Sequence, residues 1–170
     1  IRRPPRFTLF PYPTLFRSMI MAKKEPAADF PMPHHNIKDV RILLSKSFGI
    51  VPKDEEKYII ALTHESAEHS EGNERLAFTG DAVLRLVIGE YYFDDDEEAD
   101  TGILTDRKKG VESDERLAKV ATDLHLREFM LFGNTYKGRE KDTDVDSINA
   151  TTFEAIIGAI YMDHSFKKAK

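Results

Sequence analysis

Residues 73–84 read NERLAFTGDAVL, and the spacing within and beyond this stretch decides the fold. Leu76, Val83, Leu84, Val87, Ile88 and Tyr91 recur every three or four positions, which predicts one long helix over residues 74–93 with a single apolar side. Asn73 is placed to be its N-cap. On such a helix Glu74, Ala77 and Asp81 share a stripe, with Phe78 beside it. Two acids next to an apolar face read either as part of a metal site or as a solvated edge, and spacing alone leaves both open.

A second long apolar helix is predicted over residues 147–163, SINATTFEAIIGAIYMD. Phe153, Ile156, Ile157, Ile160 and Tyr161 make its buried face. Glu154 sits at the margin of that face in an otherwise uncharged run, where a lone acid is costly unless it is paired, protonated or bound to metal. Gly158 in the helix interior costs up to ~1 kcal/mol relative to alanine, which points to close helix packing there.

Shorter helices fill the intervals. Val40, Leu43, Leu44 and Phe48 predict one from Ile37, stopped at Gly49, and Ile59, Ile60 and Leu62 predict another over residues 58–66. Residues 103–110 and 114–124 read as helices, the second carrying Leu117, Val120, Ala121 and Leu124. Residues 94–100 read as a solvated acidic loop, and 129–144 as a loop with two glycines and many charges. No segment alternates as a strand does, so the fold class is all-α.

The chain has 170 residues, 41% of them hydrophobic, with no cysteine and no tryptophan. This suits one domain with a real core and excludes disulfides, thiolate zinc sites and a cysteine nucleophile. No apolar run approaches the ~20 residues of a membrane helix, so the expectation is a cytoplasmic protein with no membrane association. Residues 1–18, broken by proline and without periodicity, resemble translated adapter sequence, with a disordered native tail as the alternative; on the first reading the natural start is expected at Met19 or Met21. Residues 19–36 read as a flexible leader, and 37–170 as the folded domain.

The formal net charge is −5 and falls to −9 without Arg2, Arg3, Arg6 and Arg17, because residues 1–18 hold no acid. A generic nucleic-acid-binding domain is basic, so phosphate contact here needs local cations. Arg107, Lys108 and Lys109 form one candidate cluster; Lys137, Arg139 and Lys141 form another. The six histidines show no metal-ligand spacing.

Taken together, three blocks resemble the ribonuclease III family. NERLAFTGDAVL is similar to its motif NERLEFLGDAVL, residues 152–162 (TFEAIIGAIYM) to its block ADxFEALIGAIYLD, and Leu62–Ser66 (LTHES) to its LTHxS. Glu115–Ala118 (ERLA) falls where the family has its connecting helix. The order and intervals agree from about Ile37 to the end.

The resemblance implies an all-α homodimer that cleaves double-stranded RNA, with four carboxylates on two helices holding catalytic Mg2+. Carried over by position, Asp81 and Glu154 are kept as catalytic and metal-binding acids, and Glu74 as an auxiliary catalytic acid. The other two family ligands fall on Ala77 and Thr151. Magnesium dehydrates reluctantly and needs well-placed carboxylates, so weak or lost Mg2+ binding is expected. His64 is expected to pack within its turn. The domain is expected to be cut short at its C-terminus, with no double-stranded RNA-binding domain in these residues.

Two functions follow as expectations. One is a ribonuclease III-type endonuclease in RNA processing, with hydrolysis impaired at Ala77 and Thr151. The other is a catalytically inactive double-stranded RNA-binding or structural subunit of a ribosome or RNA-processing complex. A protein-interaction scaffold without an RNA role is a third class that the acidic charge permits.

Overall fold

A computed structural model describes residues 37–67, 72–134, 136 and 145–170. The expectations for residues 1–36, and those for His69, Lys137, Arg139 and Lys141, lie outside the described residues.

Seven α-helices follow one another among the described residues: α1 Ile37–Phe48, α2 Glu55–Ala61, α3 Glu74–Asp95, α4 Thr101–Val111, α5 Asp114–Asp123, α6 Val145–Asp163 and α7 Phe166–Ala169, with a 3-10 turn at Leu126–Phe129 between α5 and α6. The only extended pairing there is an isolated parallel bridge between Thr63 and Leu131. No helix among them is long and apolar enough to cross a membrane. The all-α expectation therefore holds.

Local chemistry explains most boundaries. Gly49 ends α1 with φ +62, a left-handed conformation that costs glycine no Cβ clash, and Ile50 N–H then bonds back to Leu44 O at 3.1 Å. Asp100 caps α4, its Oδ1 accepting from Ile103 N–H at 2.9 Å. Helix α2 corrects the expected 58–66 span. It begins earlier, at Glu55, directly after a segment that Asp163 anchors from the end of α6: Oδ2 accepts from Lys53 N–H at 2.9 Å and Oδ1 from Asp54 N–H at 3.0 Å. It ends at Ala61 because the chain then pairs with residue 131. Leu131 N–H bonds to Leu62 O and His64 N–H to Leu131 O, both at 2.9 Å.

Asn73 is a second correction. It takes a helical backbone conformation and makes no side-chain cap bond. Its buried amide instead reaches across the core, donating to Ala61 O at 3.3 Å and to Thr152 Oγ1 at 3.2 Å. That ties the end of α2 and the start of α3 to the middle of α6.

The core gathers Val40, Leu43 and Leu44 of α1, Tyr58 and Ala61 of α2, Leu62, Ala77 of α3, Ala121 of α5, Leu126, and Ala155, Ile156, Ala159 and Ile160 of α6. Tyr91, Val120 and Tyr161, assigned to buried faces from periodicity, are exposed instead. Their helices turn those positions past the single covered stripe.

Helices α3 and α6 cross with backbone on backbone. A Cβ on Gly80 would lie 1.8 Å from Glu154 O, and one on Gly158 would lie 2.1 Å from Leu76 O. Neither neighbour is a side chain that can swing aside. In an ordinary helix Gly→Ala stabilises by up to ~1 kcal/mol; here the clash dominates. Gly80→Ala and Gly158→Ala should each cost about 3 kcal/mol or prevent folding. Gly89→Ala, where an added Cβ meets nothing within 4 Å, should stabilise by ~0.5–1 kcal/mol. Urea unfolding of the three variants checks the contrast.

Asp163 also accepts from Tyr58 Oη at 2.9 Å and lies 3.1 Å from His164 Nε2. Burial works to raise its carboxyl, but the Lys53 and Asp54 amides, the Tyr58 hydroxyl and His164 together hold it below the ordinary value. A depressed carboxylate adds stability above its unfolded pKa, and that stability is lost as pH falls through the folded value. Asp163→Ala, which strands three donors, should cost about 3 kcal/mol near neutral pH. The gap to the parent should narrow below about pH 4, as followed by thermal melts.

Candidate functional site

The α3–α6 crossing sets the positions of the candidate acids. Gly80 packs on the backbone of Glu154, so the neighbouring Asp81 and the Glu154 side chain come into electrostatic contact. Glu154 is half-buried, and its carboxyl is pushed up to about 7, first by loss of water and then by the negative charges of Asp81 and Asp114, with Arg85 opposing. Asp114 begins α5 and Arg85 lies one turn beyond Asp81 on α3. Arg85 Nε donates to Asp81 Oδ1 at 2.8 Å.

The other family positions flank this pair on the same two helices: Ala77 lies one turn before Asp81 on α3, and Thr151 one turn before Glu154 on α6. Seven residues separate Glu74 from Asp81, about two helical turns or ~10 Å along α3. Glu74 and Thr151 line a cleft of about 130 Å³ with His64, Glu65, Asn73, Ser147 and Ile148. Ala77 is buried and belongs to the core.

His64 is built into the wall of that cleft. Its Nδ1 accepts from Ser66 N–H at 3.1 Å and lies 2.9 Å from Ser66 Oγ, which in turn accepts from Gly133 N–H at 3.1 Å. The ring packs 5.3 Å from both Phe132 and Tyr136. Burial lowers its pKa; Glu65 opposes this and Arg127 adds to it. With Nδ1 accepting, the imidazole is neutral and carries its proton on Nε2. The LTHES turn is thus held by packing and hydrogen bonds, as expected for His64.

The α4 basic cluster is largely committed to acids. Arg107 pairs with Asp96 at 3.0 Å and Lys108 with Glu112 at 3.4 Å, while Lys109 is exposed. Surface pairs of this kind are weak and exchange readily.

Residues 54–170 match the family described as ribonuclease-III-like. The chain belongs to the ribonuclease-III-like family. It is 38% identical over 140 residues to ribonuclease 3 of Pelotomaculum thermopropionicum, covering 78% of this chain and 57% of that protein. To ribonuclease 3 of Campylobacter jejuni it is 40% identical over 130 residues, covering 75% of this chain and 56% of that protein. The chain thus spans a little over half the length of these curated relatives. The solved nuclease domain of Campylobacter jejuni ribonuclease III superposes with a TM-score of 0.70 at 37% identity, covering 75% of this chain and 88% of that one. That structure is described for flexibility in a region involved in dimer formation.

Ribonuclease III-like domains are in general magnesium-dependent, and the residues present here do not fit that ion. Among the described residues no three acidic or imidazole groups are grouped to hold a metal. Position 77 offers a buried methyl and position 151 a neutral hydroxyl. Asp81 is bonded to a guanidinium, and Glu154 is part-protonated near neutral pH.

Sequence reasoning missed Arg85 and Asp114. The first was findable, since it lies four residues after Asp81 on the same helical face. The second had no local signal; only the placement of α5 brings it near Glu154.

Raising Glu154 destabilises the charged form, so stability is present below the unfolded value and is lost as pH rises through about 7. Glu154→Gln removes that loss. After screening, the variant should gain about 1–2 kcal/mol relative to the parent at pH 8, and nothing at pH 4. Urea unfolding at the two pH values measures it; an equal difference at both would show that the carboxyl titrates normally.

Proposed function

We propose that this chain is a ribonuclease III-type double-stranded RNA endonuclease domain, acting in cytoplasmic RNA processing as a homodimer, with its own hydrolysis impaired. One observation carries the reading: Asp81 and Glu154 stand together where α3 crosses α6, while positions 77 and 151 bring no carboxylate to them. Asp81 and Glu154 are the remnant of the catalytic and metal-binding set, with Glu74 an outlying acid two turns away. Magnesium held by two carboxylates alone is bound weakly and orients water poorly.

An apolar stripe supports the dimer. Phe78 is 82% exposed and Leu86 56% exposed; with exposed Ala82 they fall at intervals of four along α3, on one face. A large aromatic so exposed on a helix marks an interface. Lys109, with Arg107 and Lys108 after exchange of their acid partners, supplies phosphate contacts. Lys137, Arg139 and Lys141 belong to the same proposal by sequence. Recognition is of duplex shape and 2′-hydroxyls rather than base sequence. A second reading, a non-cleaving duplex-binding subunit, is favoured by the bond between Arg85 and Asp81, which occupies one of the two remaining acids.

The test is cleavage of a long RNA duplex with Mg2+ by residues 21–170. The parent runs beside Asp81→Ala/Glu154→Ala and beside Ala77→Glu/Thr151→Asp, with thermal melts to establish that each variant folds. The restored variant should cut at least ~100-fold faster than the parent, since a single lost electrostatic contact can cost that much. Parent activity equal to the restored variant would sink the idea of impaired hydrolysis. Salt-insensitive behaviour, with no duplex binding by any variant, would sink the RNA role itself.

A further inference from the structure

We propose that the Arg85 guanidinium is the resident cation of the Asp81–Glu154 site, standing in place of a divalent metal and contacting the RNA phosphodiester without one. The inference deepens the proposed function and rests on it for the RNA contact alone.

The geometry comes first. Arg85 Nε donates to Asp81 Oδ1 at 2.8 Å, fixing the guanidinium one turn along α3 from that carboxylate. Glu154 of α6 and Glu112 at the end of α4 both lie close enough for their charges to act on Arg85. The guanidinium is thus bonded to Asp81 and sits in the field of acids on two other elements. Arg85 is itself 58% exposed, so the outer edge of the fork faces solvent, where a ligand can approach.

The charge count comes next. A four-carboxylate cluster repels itself, and a multivalent cation relieves that repulsion. With Ala77 and Thr151 the pair that remains is at most doubly negative, and one guanidinium offsets half of that charge. Little field remains to strip water from magnesium, which demands near-ideal octahedral oxygen ligands.

Chemistry separates what this cation can do from what it cannot. A guanidinium binds phosphate oxygens through parallel N–H donors and stays charged at all physiological pH values. It has no open coordination position, so it cannot bind a water as a ligand and lower its pKa as a metal does. The arrangement holds a phosphodiester and leaves the attacking water unactivated.

The experiment has two arms. Free Mn2+ is followed by electron paramagnetic resonance during titration into the natural chain, Arg85→Met, Ala77→Glu/Thr151→Asp, and the triple variant. Methionine keeps the apolar stem without the charge, and circular dichroism establishes folding. Arg85→Met should raise Mn2+ affinity roughly fivefold in both backgrounds, the upper range of one screened ion pair. Unchanged affinity in both would overturn the assignment.

In the second arm, binding of a duplex RNA is measured in EDTA and in Mg2+. The natural chain should bind equally in both, and Arg85→Met should bind several-fold more weakly in EDTA. Binding that requires Mg2+, or that ignores Arg85→Met, would overturn the phosphate contact. No RNA binding under either condition would refute the proposed function, while the Mn2+ arm still decides whether Arg85 holds the cation's place.

Discussion

Everything at the candidate site depends on the contact between Gly80 and Gly158. Two helices can approach this closely only where neither carries a Cβ at the point of contact, because what each glycine meets is the other helix's backbone. The close approach shortens the path between side chains that flank the crossing. Asp81 and Glu154 are such flanking residues, so their mutual electrostatics follow from a packing constraint. The same constraint buries Ala77, Ala155 and Ala159, small residues that let the helices stay close.

Long-range polar ties then fix the smaller elements around that pair. Asp163 bonds to the start of α2 across more than a hundred residues of sequence. Asn73 joins the end of α2 to Thr152, whose hydroxyl also donates to Ile148 O at 2.8 Å. Buried polar groups must find partners, and these find them on other elements rather than locally. Tyr58, the largest fully buried side chain, is held between the core and Asp163. The outcome is a scaffold in which α2, α3 and α6 hold fixed places relative to one another, and the LTHES turn is pinned against Gly133.

On that scaffold the family's architecture is kept while the charge at its centre has changed. Asp81 is bonded to Arg85, and the half-buried Glu154 beside it has its carboxyl pushed up by burial and by neighbouring acids. This links the substitutions at 77 and 151 to Arg85, since a built-in cation is stable only where the negative charge is small enough for one guanidinium to balance.

Periodicity made α1, α3, α5 and α6 legible, because an amphipathic helix repeats its pattern whatever it packs against. Resemblance made Asp81, Glu154, Glu74, Ala77 and Thr151 legible as positions. It could not say that Glu74 and Thr151 line a cleft with His64, or that Asp81 and Glu154 meet at the crossing, since that depends on the angle and depth at which α3 meets α6. The sequence by itself determined the helical class, through residue type and spacing, and the family, through the resemblance of its motifs. Tertiary structure alone decided the partners: Asp163 as the anchor of the residues before α2, Asn73 as a tie rather than a cap, and Asp114 near Glu154. Those pairings join residues far apart in the chain, and no local pattern encodes a contact that exists only once the helices have packed.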